Sequence, residues 1–544
     1  MEQKEIIQKD CPENIDFSQA LKNKSLARRK QYEQLVTLIS SSKSDRDAFG
    51  TFITNAIENI SLLTPQAGTL IQTLLELPWS EKCDEISEKF IEFISQLITH
   101  QIHSLRICII MVMKMFTHFD LDNSSSYMEN IRENSHNALQ TIFTLVPTSP
   151  CLFIEVIESE YPYKGKSTSI HESLLTNLLQ VANTYPPLEQ EIVQIITNNL
   201  IKMDAETPRK ELEEISQDLD TLHECVDLDP ILHKTHQYAI KVDKLVSLIL
   251  KNIKTYVFRR SNSKSDKLSK SRLRRIYPTY LSTFIHVILP THGASHIQSI
   301  ILYLSSLDLE LSITFIDSLW TQVTCLESPP VVRESACCYL ASYISRAKFL
   351  TSQIVVDTML TISQWLHKYI DKTAGISTCP DVIAHGTFYS LAQALFYIFV
   401  FRHKLLFDLP NGIEFINSLT LQNIIFSKLN PLKVCLSTIT DMFAGICKHY
   451  QILFCYTLIE QNKRLYLPQT LSALAETSDN YLLSFFPFDP FLLPSISNSL
   501  NPLLFSWTEV EPAYMRLEEL ATQAEESVLD MDFDFSTDET LDYM

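Results

Sequence analysis

Only 8 of 544 residues are glycine, and that scarcity does most to limit what the chain can build. Phosphate-cradling loops, dinucleotide-binding turns and nucleophile elbows all need glycine where the backbone takes a positive φ or lies against a ligand. None of those motifs occurs. Alternating strand patterns are scarce as well, whereas apolar residues recur at helical spacing in segment after segment. Ile86, Phe90, Ile94 and Leu97 form one stripe, and Ile192, Ile195, Ile196, Leu200 and Met203 another. Val242, Leu245, Ile249, Ile253 and Tyr256 form a third, followed by Val355, Met359, Ile362, Leu366 and Tyr369.

A chain of this length exceeds one compact core, since domains stop growing near about 250 to 300 residues. Helix after helix without embedded strands favours stacked antiparallel pairs over a single bundle. No exact repeat is visible, so the expected fold is all-α, a degenerate HEAT-like helical-repeat solenoid. Pro78, Pro147, Pro150, Pro186, Pro187, Pro290 and Pro329 fall between the periodic stretches, where helices end.

Departures from the pattern set the expected organisation. Residues 1–30 form a polar N-terminal arm ending in Ala27-Arg28-Arg29-Lys30, and 31–203 a first HEAT-like half. Within that half Asp122 to Ser126 reads as a polar loop. Residues 204–229 are an acid-rich linker or loop. A second half, 230–510, carries a basic, serine-rich loop at 259–275, and 511–544 is expected to be a disordered acidic tail that includes the string D-M-D-F-D-F.

The formal net charge of -19 argues against a broad phosphate-neutralising surface, so protein partners are expected and direct DNA contact is expected to be weak. The 12 cysteines include no C-x-x-C pair, and no signal peptide is expected, which fits reduced thiols in cytosol or nucleus. The apolar run Phe388 to Phe401 is too short to span a bilayer and reads as a buried core helix, with no membrane role.

No catalytic, cofactor or metal site is expected. His292 and His296 have i, i+4 spacing, but Gly293 stands where a zinc hydrolase needs glutamate, and they read as structural histidines. Adjacent Cys337 and Cys338, like Cys435, Cys447 and Cys455, read as small buried hydrophobes. Carboxylate pairs such as Glu213 with Glu214 sit in acid-rich runs and read as solvated faces.

The basic stretch brings together Arg259, Arg260, Lys264, Lys267, Lys270, Arg272, Arg274 and Arg275. It reads as an import signal, a nucleic-acid backbone contact, a dock for an acidic partner, or a merely solubilising loop. Ser261, Ser263 and Ser265 inside it are candidate phosphorylation sites, since each phosphate reverses the local charge. Arg402 and Lys404, after the aromatic run, either cap a helix C-terminus or contact a partner.

Several unusual strings keep a fixed order in the second half. They are Leu289-Pro290-Thr291-His292, Arg346-Ala347-Lys348-Phe349, Trp365-Leu366-His367, Phe399-Val400-Phe401-Arg402-His403-Lys404, Leu429-Asn430-Pro431-Leu432-Lys433 and Phe485-Phe486-Pro487-Phe488-Asp489-Pro490. Leu77-Pro78-Trp79 and Tyr161-Pro162-Tyr163 precede them. In this order they resemble the RNA polymerase I-specific transcription initiation factor (TIF-IA) family. The resemblance implies a HEAT-repeat, non-enzymatic factor of nucleus and nucleolus that binds RNA polymerase I near its stalk. It also implies a bridge to the promoter-bound core factor (selectivity factor), phosphoregulation, and in some members homodimers of the free factor. Ser124, Ser125 and Ser126 are the expected regulatory serines by position, beside the reading of an ordinary polar turn. The alternative reading is another helical-repeat nuclear adaptor, such as a transport receptor or assembly scaffold.

Overall fold

The structure is a computed structural model and describes residues 26–41, 46–64, 67–76, 84–118, 125–209, 211–213, 230–259, 267–291, 294–374, 381–466, 482 and 486–510. The N-terminal arm up to residue 25, most of 204–229 and the tail 511–544 lie outside them. Two compact units divide the chain at Met1–Lys202 and Met203–Met544.

The first unit runs through α1 (Leu26–Ser41), α2 (Arg46–Glu58), α3 (Gly68–Leu75), α4 (Asp84–His100), α5 (Leu105–Phe116), α6 (Ser125–Leu145), α7 (Ser149–Glu160), α8 (Thr168–Thr184) and α9 (Glu189–Asp204), whose last two residues, Met203 and Asp204, belong to the second unit. Helices two apart in sequence stack: α1, α3, α5 and α7 make one row, while α2, α4 and α6 make the other. That two-layered stacking is what a HEAT-like array requires, each helix pair burying a face that it cannot cover alone. The stripe on α4 becomes core, with Phe90, Ile94 and Leu97 fully buried. Pro147 falls between α6 and α7, and Pro150 occupies the first turn of α7, where a missing N–H costs nothing. The run 122–126 is not all loop: Ser125 and Ser126 open α6, and Ser124 lies outside the described residues.

The second unit begins with α10 (Pro230–Val257) and a short antiparallel ribbon, β1 (Phe258–Arg259) and β2 (Lys267–Leu268). The pairs are Phe258 with Leu268 and Arg259 with Lys267. Then follow α11 (Lys270–Thr283), α12 (Ser299–Ser306), α13 (Leu309–Thr324), α14 (Pro330–Arg346), α15 (Ser352–Thr373) and α16 (Val382–Asp408). Shorter helices close the unit: α17 (Gly412–Ser418), α18 (Leu421–Ile425), α19 (Pro431–Val434), α20 (Ser437–His449), α21 (Tyr456–Tyr466), α22 (Pro494–Leu500) and α23 (Trp507–Val510).

Helices α14 and α16 pack along each other at its centre. Both are buried on all sides over long stretches, Ser335–Arg346 and Gly386–His403, as expected of helices that are apolar or small all round. By length and composition α16 could cross a membrane, but most of it is buried inside the protein. It is the core helix of this unit.

Asp381 and Asp308 start α16 and α13 by accepting the backbone N–H of Ile383 and Glu310. At Gly412 a Cβ would stand 1.9 Å from the Leu406 carbonyl oxygen, so the close return of the chain after α16 admits no side chain there.

Candidate protein-interaction surface

The basic stretch is not a single loop. Residues 260–266, with Arg260, Lys264, Ser261, Ser263 and Ser265, lie outside the described residues, and the ribbon brackets them. From Lys270 onward the stretch is helical, forming the first turns of α11. Four of its cations, Lys270, Arg272, Arg274 and Arg275, are engaged within the protein. Lys270 Nζ lies 3.1 Å from Asp308 Oδ2 and holds that carboxyl below the usual carboxylate value. Arg274 pairs with Glu310. Arg272 donates to the Tyr256 carbonyl at 2.9 Å, and both Arg272 and Arg275 lie over the Tyr256 ring, 5.4 and 5.2 Å from its centroid. The exposed pairs contribute little to stability, of order 0 to 1 kcal/mol. Their effect is to orient α11 against the start of α13.

Arg402, expected from the sequence either to cap the end of the aromatic helix or to contact a partner, does not stand at that helix end and is not exposed. It lies inside α16 at 3% exposure, because the helix continues past the aromatic run to Asp408. Its Nε donates to the Ile344 carbonyl at 2.9 Å and its Nη2 to that of Ala347. It therefore caps the carboxyl end of α14, where the last helical carbonyls lack partners. Burial lowers its pKa to about 10. Lys404 is exposed and donates to the Glu509 carbonyl at 2.9 Å.

The same junction gathers residues whose roles the sequence did not disclose. Arg346, at the end of α14, forms an ion pair with Asp489 and donates to the Tyr397 hydroxyl at 3.2 Å and the Phe505 carbonyl at 3.1 Å. Phe486 stacks on Tyr397 with centroids 4.6 Å apart. Phe488 is fully buried against Phe315, Tyr339 and Tyr343. Further along, Lys348 N donates to Leu503 O at 2.9 Å and Phe505 N to Arg346 O at 2.8 Å. Residues 486–505 thus strap the end of α14. Asp243 of α10 caps the start of α22 through Ser495 N and Ile496 N, both at 3.1 Å. The only sequence signal for this was the oddity of the strings themselves.

His292 lies outside the described residues. His296 is buried, with Nδ1 2.8 Å from Asp204 Oδ1, while Asp204 Oδ2 accepts the N–H groups of Ser295 and His296. Among the described residues no cluster of three His, Cys, Asp or Glu could hold a metal ion. Cys337, Cys338, Cys435, Cys447 and Cys455 are all buried, and burial pushes the thiol of Cys338 up to about 12 and that of Cys455 to about 11. Raised thiols are poor nucleophiles.

A family model described as RNA polymerase I specific transcription initiation factor RRN3 matches residues 16–230 and 226–512. The chain is 29% identical over 542 residues to "RNA polymerase I-specific transcription initiation factor RRN3" of Mus musculus, covering 92% of this chain and 82% of the relative. It is 26% identical over 544 residues to "RNA polymerase I-specific transcription initiation factor rrn3" of Schizosaccharomyces pombe, covering 91% and 86%. Its fold matches "Crystal Structure of RNA Polymerase I Transcription Initiation Factor Rrn3" with a TM-score of 0.69 at 21% identity, over 89% of this chain and 98% of that one.

Proposed function

Because the chain belongs to the RNA polymerase I-specific transcription initiation factor RRN3 family, we propose that it binds RNA polymerase I near its stalk and bridges it to the promoter-bound core factor. That family consists of initiation factors rather than enzymes, so binding and not turnover is its output. The observation that carries the reading is the reach of the family match, which extends across both compact units. A helical array offers long outer faces to more than one partner. Two modest contacts on one chain raise effective concentration, so the bridge can be firm while each contact stays reversible.

Phosphates at Ser124, Ser125 and Ser126 would then release a partner by adding negative charge, and those at Ser261, Ser263 and Ser265 by reversing the local positive charge. The site of action is the nucleus and, for ribosomal RNA synthesis, the nucleolus. The free factor pairs with a second copy, and the acidic balance of the chain leaves DNA contact to its partners.

Reconstitution from purified components tests the bridge. Immobilised polymerase I should retain core factor only when this chain is added, and cross-links from its lysines should map to both. Equal retention of core factor without the chain, or failure of the chain to bind polymerase, would refute the reading.

A further inference from the structure

The second unit carries an open groove of about 270 Å³ between α13 and α15, floored by Leu340 of α14. One wall is an apolar stripe at helical spacing: Ile313, 43% exposed, followed by Ile316 and Trp320. The other wall is Ile354, Asp357, Thr358 and Thr361, again one helix face. Thr358 and Thr361 donate their hydroxyls to carbonyls of their own helix, at 2.7 and 2.8 Å. That wall therefore offers carbon and carboxylate, not free donors.

From this we propose that the groove is a docking site for an amphipathic helix of a protein partner, with apolar residues on its inner face and Lys or Arg along its edges. The stripe from Ile313 to Trp320 is about 10 Å long at 1.5 Å per residue, which matches roughly two turns of an incoming helix. Grooves between two helices take such ligands through side chains at i, i+4 and i+7. Charge selects the edges. Asp317 on one wall and Asp357 on the other are exposed, and among the described residues neither forms an ion pair; Gln353 Nε2 donates to Asp357 at 2.9 Å. A cationic rim on the ligand meets both carboxylates, whereas an acidic rim meets repulsion. A second copy of this chain, with its net charge of -19, complements the groove poorly. The site is independent of the polymerase reading.

The test uses the full chain and two synthetic helical peptides with leucines at i, i+4 and i+7, one flanked by lysines and one by glutamates. The lysine peptide should bind and shift the emission of Trp320, a shift lost in Trp320→Phe. Asp317→Lys with Asp357→Lys should weaken it at least tenfold and confer binding of the glutamate peptide. Unchanged thermal unfolding of these exposed-site variants confirms that they fold. Equal binding of the two peptides, binding of neither, or an affinity for the lysine peptide indifferent to the double reversal would overturn the proposal. So would concentration-dependent self-association abolished by Ile313→Asp, which would make a second copy the occupant.

Discussion

Arg402 donates from Nε to the Ile344 carbonyl oxygen 2.9 Å away, joining the interior of α16 to the final turn of α14. A cation at so buried a position persists because its fork satisfies carbonyls that have no other helical partner and because it lies over the Phe505 ring, 4.8 Å from the centroid. Arg402→Ala should cost about 2 to 4 kcal/mol, the scale of leaving buried acceptors unpaired. Arg402→Lys should recover less than half of that, since one ammonium cannot reproduce a two-pronged donor. Urea unfolding followed by circular dichroism measures both.

Phe488→Ala should be as severe. Truncating a fully buried phenylalanine costs about 3 to 5 kcal/mol, and here it also removes the ring around which Phe315, Tyr339 and Tyr343 are arranged. Limited proteolysis should then cut within 486–505 first, while the wild-type strap stays protected. Equal cutting rates would show that the strap is held by something other than this ring.

Stability should fall on acidification, and His403 should carry part of the effect. The ring is buried and its Nδ1 lies 2.7 Å from the Val400 carbonyl, with burial the main cause of a lowered pKa. Below about pH 6.5 the unfolded chain takes up a proton that the folded one resists, so stability present above that pH drains as pH falls through the folded value. Melting temperatures between pH 7.5 and 5.5 should decline less steeply in His403→Gln than in the wild type.

Ser124→Asp, Ser125→Asp and Ser126→Asp together should weaken retention on immobilised polymerase I severalfold without altering the melting temperature. Two of the three stand in the opening turn of α6, where acidic residues favour the helix dipole, so the helix itself should tolerate them. Undiminished retention would remove this segment from the polymerase contact.

Helical periodicity was legible because burying a stripe is a local requirement repeated every turn: Ile192, Leu200, Val242, Val355 and Met359 all reach the core. Buried charge was not legible. Arg402 follows an aromatic run and so looks like the residue at which a helix meets water, yet the carbonyls that receive it lie 55 and 58 positions earlier. Spacing cannot report a partner that distant. The partners of Lys270, Arg272, Arg274 and Arg275 were hidden for the same reason, since Tyr256, Asp308 and Glu310 lie on other elements. Pro278 broke the punctuation rule altogether, sitting inside α11.

The strap over α14 also orders events during synthesis. Tyr339 and Tyr343 leave the ribosome well before Phe488 and Phe505 do, so the central aromatic cluster must wait, partly uncovered, for its last member. A message truncated after codon 343 and before codon 488 would yield a polypeptide with that cluster open, a ready substrate for chaperone capture and quality-control degradation.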